Sequence, residues 1–316
     1  MSKSNLPQEF LNSAQKCNFD KELFKKEGIP HLYVESNKVL SLGQIPGIKV
    51  ITKTFRQGVK IKLIVLKGRE IEKPIFFCFG LLQKKAKQII LPEIILEENS
   101  KAKIFTHCTF PFALNITHTM KAKLVLKKGA QLIYEERHYH GDYFGANVLP
   151  SFEAILEKEA SLENYFILNQ GTVGKLKINF KAKLKEKAIS EITTRIIGKG
   201  EKDDIFINDK IILEGENSRS LIKIRAAAVD GGKVFGQGET IALAKNAQGH
   251  VDCQEIVIGK KSICRAVPIV EVKHPEARIT HEASVGKISQ KELEVLMTRG
   301  LSEKEAIDFI IRGKLD

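Results

Sequence analysis

The amino-acid sequence predicts an all-β fold, a parallel β-solenoid with a coil of about 29 residues, and three observations carry that expectation. Seven segments superpose with their third residues at Leu96, Leu126, Leu156, Leu184, Leu213, Leu243 and Val272, spaced 30, 30, 28, 29, 30 and 29 residues apart. Two places before each anchor stand Ile94, Leu124, Ala154, Ala182, Ile211, Ile241 and Val270, which gives the alternation of a half-buried strand. Small or turn-forming residues (Ser100, Ala130, Ala160, Ala188, Asn217, Ala247) follow four places after the anchors, and strand-like alternation then resumes. One such unit cannot bury its apolar face alone, whereas a stack of them makes a continuous core.

The ends read differently. Residues 8 to 28, with helix formers closing on Gly28, predict a small helical cap inside an irregular N-terminal region spanning 1–45. Between 31 and 90 the strand-like runs, including Val59–Leu66 and Ile75–Leu82, keep no clear phase and read as early, irregular coils of a core spanning 46–287. A C-terminal segment, 288–316, carries two S-x-x-E capping boxes at Ser289–Glu292 and Ser302–Glu305, with Gly300 and Gly313 at expected helix ends. Two short helices, roughly 290–299 and 303–312, follow, with apolar stripes of Leu293, Leu296 and Met297, and of Ala306, Ile307, Ile310 and Ile311. Such a pair either caps the last coil or offers a docking surface.

Composition excludes several classes. The longest apolar run, Pro74–Leu82, falls far short of the roughly 20 residues of a membrane helix, and no apolar leader opens the chain, so a soluble cytoplasmic protein is expected. The net charge of +13 comes from lysines spread along the chain and interleaved with glutamates, as in residues 181–191, with no Trp. That pattern reads as a solvated surface rather than a nucleic-acid footprint. Five dispersed cysteines without a CxxC pair argue against a disulfide framework or a local zinc finger. No Walker loop, GxSxG or HExxH is present, and Gly231–Gly232 and Gly236-x-Gly238 read as solenoid turns.

The candidate chemistry lies late in the chain. Cys253 is ten places after Leu243 and Glu282 ten places after Val272, so the repeat predicts that thiol and carboxylate stack on neighbouring coils with His281 adjacent. These sulfur, nitrogen and oxygen donors suit iron or zinc, and the soft thiolate favours iron-sulfur chemistry. Three donors leave a tetrahedral shell incomplete, to be filled by solvent, sulfide or a second chain across a two-fold edge. Strand parity places Cys253 on the side of the core residue Val251 unless a turn intervenes. Cys78 reads as core, Cys17 and Cys108 as structural, and Cys264 as open. His138 and His140 share one strand face, a spacing that metal sites use, but read first as solvent-facing.

Three stretches then make the C-terminal third familiar: CQEIVIG (253–259), ARITHEASVGKI (277–288) and LMTRGLSEKEAIDFIIRG (296–313), preceded by SRSLIKIRAAAVDGGKVFGQG from Ser218. Together they resemble the end of SufB and SufD, proteins of iron-sulfur cluster assembly. The resemblance implies a right-handed parallel β-helix whose helical C-terminus, 288–316, docks a SufC-like ABC ATPase. It also implies a transient iron-sulfur cluster at Cys253, His281 and Glu282. Glu282 stands where SufB has glutamate and SufD has glycine, so the site is SufB-like. The chain is shorter than typical SufB and lacks its cysteine-rich N-terminal region, which suggests a minimal homodimer, or a heterodimer with a paralogue, joined through the C-terminal β-helix edge. ATP hydrolysis would reside in the partner, and apo iron-sulfur proteins would receive the cluster. Two other readings compete: a SufD-like subunit that activates the ATPase without holding a cluster, and a polysaccharide-acting β-helix enzyme, for which the chain offers no acidic groove or sugar-stacking platform.

Overall fold

The computed structural model describes residues 7–16 and 28–315. Over these the chain winds as a β-solenoid of about eight turns with short helices at both ends, as the repeat predicts. Two sheets face each other across a bore. The first holds β1 (His31–Glu35), β2 (Lys38–Gly43), β5 (Ile75–Gly80), β7 (Lys101–Phe110), β9 (Gln131–His140), β11 (Ser161–Leu168), β13 (Ile189–Lys199), β15 (Arg219–Val229), β17 (Gln248–Ile258) and β19 (Arg278–Lys287). The second holds β3 (Ile48–Phe55), β4 (Gly58–Val65), β6 (Lys85–Leu96), β8 (Asn115–Leu126), β10 (Ala146–Leu156), β12 (Gly174–Leu184), β14 (Asp204–Leu213), β16 (Lys233–Ala242) and β18 (Ile263–Val272). Strands one coil apart pair in parallel, whereas β1–β2 and β3–β4 are antiparallel, which is why residues 31–90 show no steady phase.

The anchors form a buried ladder, Leu96 on Leu126 on Leu156 on Leu184 on Leu213, each side chain stacked on its equivalent. The next rung is Ala242 and not Leu243, and Val272 stacks on Ala242. Leu243 is 39% exposed. The physical reason is a longer turn. In earlier coils a left-handed residue such as Lys187 precedes a buried small residue, Ala188, four places after the anchor. After Leu213 the left-handed residue is Asn217 and the buried one Ser218, five places on. Ile241 and Leu243 mimic an inward pair, but Thr240 and Ala242 point into the bore.

Outside, Lys62–Glu93, Lys158–Glu186, Lys185–Glu214 and Lys210–Glu239 pair across adjacent coils, so the interleaved charges are ladders on a wetted face. Each contributes little alone, about 0–1 kcal/mol. Helix α1 (Gln8–Lys16) buries Phe10 against Tyr33, Phe76 and Cys78 on the outer face of the first sheet. Cys78 is therefore buried as expected, while Cys17 and the rest of the expected cap up to residue 27 lie outside the described residues.

The C-terminal helices are α2 (Gln290–Thr298) and α3 (Glu303–Leu315). Only one capping box forms: the Ser302 amide donates to Glu305 Oε2 at 2.9 Å and the Glu305 amide to Ser302 Oγ at 3.3 Å. Ser289 makes no side-chain cap bond. Gly300 takes the left-handed conformation that ends α2, whereas Gly313 lies inside α3, which runs on to bury Leu315 under Ala227 and Val229. Gly231–Gly232 form a turn as expected, but Gly236 and Gly238 lie within β16 and face the bore. No helix of the described residues is long and apolar enough to cross a membrane.

Candidate functional site

Strand β17 alternates Val251, Cys253 and Glu255 into the bore, and all three are buried. Cys253 therefore faces the bore, as parity predicts. The expected stacking on Glu282 is off by one residue, because it was counted from Leu243: Cys253 pairs with Ala283, Val251 with His281 and Asp252 with Glu282. A one-residue shift moves a side chain to the other face. His281 thus shares the face of Cys253, while Glu282 lies on the outer face beside Asp252, which is ion-paired to Arg225. His281 and Glu282 are both exposed, since β19 ends its sheet and nothing among the described residues covers the last coil.

Around Cys253 the bore contains groups that no sequence motif marks. Burial pushes the Cys253 thiol up to about 12, and the nearby carboxylates of Glu255, Asp252 and Asp209 push the same way against Arg225. Burial also raises Glu255 to about 8 and Asp209 to about 7, the latter opposed by the Thr194 hydroxyl, which donates to Asp209 Oδ2 at 2.8 Å. Both carboxylate oxygens of Glu255, and Oδ1 of Asp209, are buried with no hydrogen-bond partner among the described residues. Glycines make the room: a Cβ at Gly236 would meet Glu255 Oε1 at 2.5 Å, and one at Gly238 would meet Val251 at 2.7 Å. The available signal was parity, because a carboxylate two places from an inward cysteine on one strand must itself point inward.

A second polar chamber lies deeper, near the N-terminal end of the bore. Cys108 of β7 pairs in register with His138 of β9, and Tyr134, Glu136, His138 and His140 alternate inward along that strand. His118 projects from β8 of the opposite sheet, with Gln88 beside it on β6. His138 and His140 do share a strand face, but it is the buried one, so the solvent-facing reading is corrected. Cys108 is buried in the core, and its Sγ lies 3.8 Å from His118 Nε2 and 3.9 Å from Glu136 Oε1. Glu136 Oε1 lies 2.6 Å from His138 Nε2, and Tyr134 donates its hydroxyl to Glu136 Oε2 at 3.2 Å. Burial holds His118 and His138 down at about 3 and raises Glu136 to about 8, so neutral imidazoles and a neutral acid prevail. Buried Phe152, Phe166, Phe180, Ile178 and Ile192 fill the bore between this chamber and Cys253.

The architecture sets the class: a β-solenoid with thiol, imidazole and carboxylate groups at the uncovered last coils, where β18 and β19 leave both sheet edges unpaired among the described residues. Residues 84–314 match the family described as SUF system FeS cluster assembly, SufBD core domain, and the chain belongs to the SufBD family of iron-sulfur cluster assembly proteins. A SufBD family protein of Methanocaldococcus jannaschii is 36% identical over 286 residues, 90% of each chain. One from Pyrococcus horikoshii is 31% identical over 304 residues, 93% of this chain and 92% of its own. The iron-sulfur cluster assembly protein SufB of Bacillus subtilis is 27% identical over 263 residues, 80% of this chain but only 54% of that protein.

Proposed function

We propose that the chain is the scaffold subunit of a SUF-type complex, on which a labile iron-sulfur cluster is built as cargo at Cys253 and His281 and then passed to apo proteins in the cytoplasm. The observation that carries this reading is the inward thiol of Cys253, which shares its strand face with His281 on the uncovered last coil. Glu255 adds two unpaired carboxylate oxygens on that face, and Glu282 offers an oxygen from the outer face beside Asp252. The edge strands β18 and β19 expose Ile269, Val270, Val272 and Val285, so a second copy or a paralogue pairing there would cover apolar surface and bring further donors to the site. Exposed Val295 and Phe309 line an apolar groove with Leu296 between α2 and α3, which suits docking of a SufC-like ATPase on 288–316. ATP turnover there would loosen the last coil and free the Cys253 thiol from the burial that keeps it protonated.

Anaerobic reconstitution with iron and sulfide should give a visible cluster chromophore that Cys253→Ser abolishes; equal reconstitution by the variant would overturn the reading. A second reading, a SufD-like subunit that activates the ATPase without carrying a cluster, is favoured by the pKa of about 12 that keeps Cys253 a thiol in the isolated chain. It requires iron to stay near zero while the ATPase still co-purifies with Cys253→Ser.

A further inference from the structure

The chamber deep in the bore is not used by the assembly reaction proposed above, yet it has the composition of a coordination shell. We infer that Cys108, His118, Glu136 and His138 form a second, permanent site for one divalent first-row metal ion of the zinc or ferrous class.

Geometry is the first argument. Single donor atoms of Cys108, Glu136 and His138 all lie within 4.8 Å of one another, and His118 Nε2 lies 3.8 Å from Cys108 Sγ. A tetrahedral ion with bonds of about 2.0–2.3 Å spaces its donors about 3.3–3.8 Å apart, so modest side-chain rotations bring these atoms onto one centre. The four residues come from both sheets, with His118 facing the other three across the bore.

Proton placement is the second. Gln88 donates both amide hydrogens, to the carbonyls of Ser36 at 2.7 Å and Gly80 at 3.2 Å, so its Oε1 can only accept. It accepts from His118 Nδ1 at 2.9 Å, which fixes the tautomer and leaves the Nε2 lone pair aimed at Cys108. This is the outer-shell arrangement that metal-binding histidines use. On the other side Thr106 donates to Tyr134 at 3.1 Å, so the tyrosine hydroxyl donates onward to Glu136 Oε2 and leaves Oε1 as the inward oxygen. His118 and Glu136 are thus each oriented by a neighbour that is not itself a ligand.

Charge is the third. A thiolate, a carboxylate and two neutral imidazoles sum to two negative charges, which a divalent ion cancels within a dry bore where an unbalanced charge is costly. Sulfur with two nitrogens and one oxygen selects zinc or ferrous iron over calcium or magnesium. The ion would sit about 19–24 Å from Cys253, four to five interstrand steps of about 4.8 Å along the solenoid. Burial on all sides suits a resident ion, in contrast to cargo held on an uncovered coil.

The test uses the full chain carrying Cys253→Ser, so that the thiol of the assembly site is gone while every residue of the deep chamber is native. Produced with cobalt(II) as the supplied metal, this chain should retain one cobalt per chain after exhaustive dialysis, with tetrahedral d–d bands and thiolate-to-cobalt charge-transfer absorption. Adding Cys108→Ser should abolish the charge-transfer absorption. Adding Gln88→Leu, which leaves all four ligands in place, should keep that absorption and weaken affinity about 10–100-fold. Absence of cobalt from the Cys253→Ser chain overturns the inference without reliance on any variant of the deep chamber. Unchanged absorption on Cys108→Ser, or unchanged affinity on Gln88→Leu in a chain of native circular dichroism, overturns it as well.

Discussion

The two polar chambers of the solenoid are made from the same materials in opposite states. Around Cys108 the thiol, the Glu136 carboxyl and the His118 and His138 imidazoles satisfy one another from both sheets, sealed by Phe110 and Phe166. Around Cys253 the thiol faces Glu255 and Asp209, three of whose four carboxylate oxygens have no partner among the described residues, and the next coil is open to solvent. A buried acceptor left unpaired costs about 1–3 kcal/mol, so the carboxylates of the second chamber carry an unmet demand that Glu136 does not, although His140 Nδ1 in the first chamber also lacks a hydrogen-bond partner among the described residues. The difference assigns complementary roles: a chamber complete in itself can hold an ion for good, whereas an incomplete one must be finished from outside by cargo or another chain.

The largest effect that could break this contrast is on packing. Leu126 is fully buried in the anchor ladder and Val272, at its end, is 48% exposed. Leu126→Ala should destabilise the isolated chain by about 2–5 kcal/mol through the cavity left behind, and Val272→Ala by less than about 1 kcal/mol. Urea unfolding measures both. A large loss from Val272→Ala would mean that the last coil is already covered, by a second copy, in the isolated protein.

A somewhat smaller effect separates the chambers by pH. Asp209 ionises near 3.8 when unfolded but only near 7 in the fold, where burial disfavours its charge. Between these values the folded chain binds the extra proton, so this group's contribution to stability is greatest at low pH and falls as pH rises through the window. Glu255 and Cys253 face the same space, both also raised by burial, and keep their own dependence. Relative to wild type, Asp209→Asn should therefore gain stability progressively from about pH 4 to 7 and level off, by at most about 4 kcal/mol at roughly 1.4 kcal/mol per pH unit. Parallel profiles would show that water reaches this carboxylate and that the chamber is already wet.

Much of the fold was legible because burial in a solenoid repeats: Leu96 through Leu213 recur on the core side at a spacing set by the coil itself. The register failed where a turn lengthened by one residue, after Leu213, since an apolar pair such as Ile241 and Leu243 looks the same on either face. That slip placed Glu282 over Cys253 instead of Asp252 and hid the fact that thiol and carboxylate project from opposite faces. Cys253 and His281 follow from the repeat and from the resemblance alike, and both fall on one strand face. Glu255, Asp209, His118 and Glu136 carry no motif and read as surface from composition, while Cys108 reads as structural and His138 as solvent-facing, so the bore set does not assemble from the sequence. In a strand, parity outranks polarity, and Tyr134-x-Glu136-x-His138-x-His140 could have been read inward from Leu132.

The smallest effect probes the room beside Cys253. Four of the bore-facing positions of β16 are Gly236, Gly238, Thr240 and Ala242, all small, in coils whose neighbours in the ladder carry Leu and Ile. A methyl group at Gly238 would come within 2.7 Å of Val251 and 3.8 Å of Cys253 Sγ, so Gly238→Ala must push Val251 aside at about 1 kcal/mol, the low end of an overpacking penalty. If the space is there to admit sulfide or iron next to the thiol, cluster retention should drop several-fold in Gly238→Ala while thermal stability falls only slightly. Cobalt held in the deep chamber, four to five coils from Cys253, should be unaffected. Retention that falls only in proportion to stability would mean that the glycines merely fit the curvature of the last coils, and that cargo approaches Cys253 from the His281 side alone.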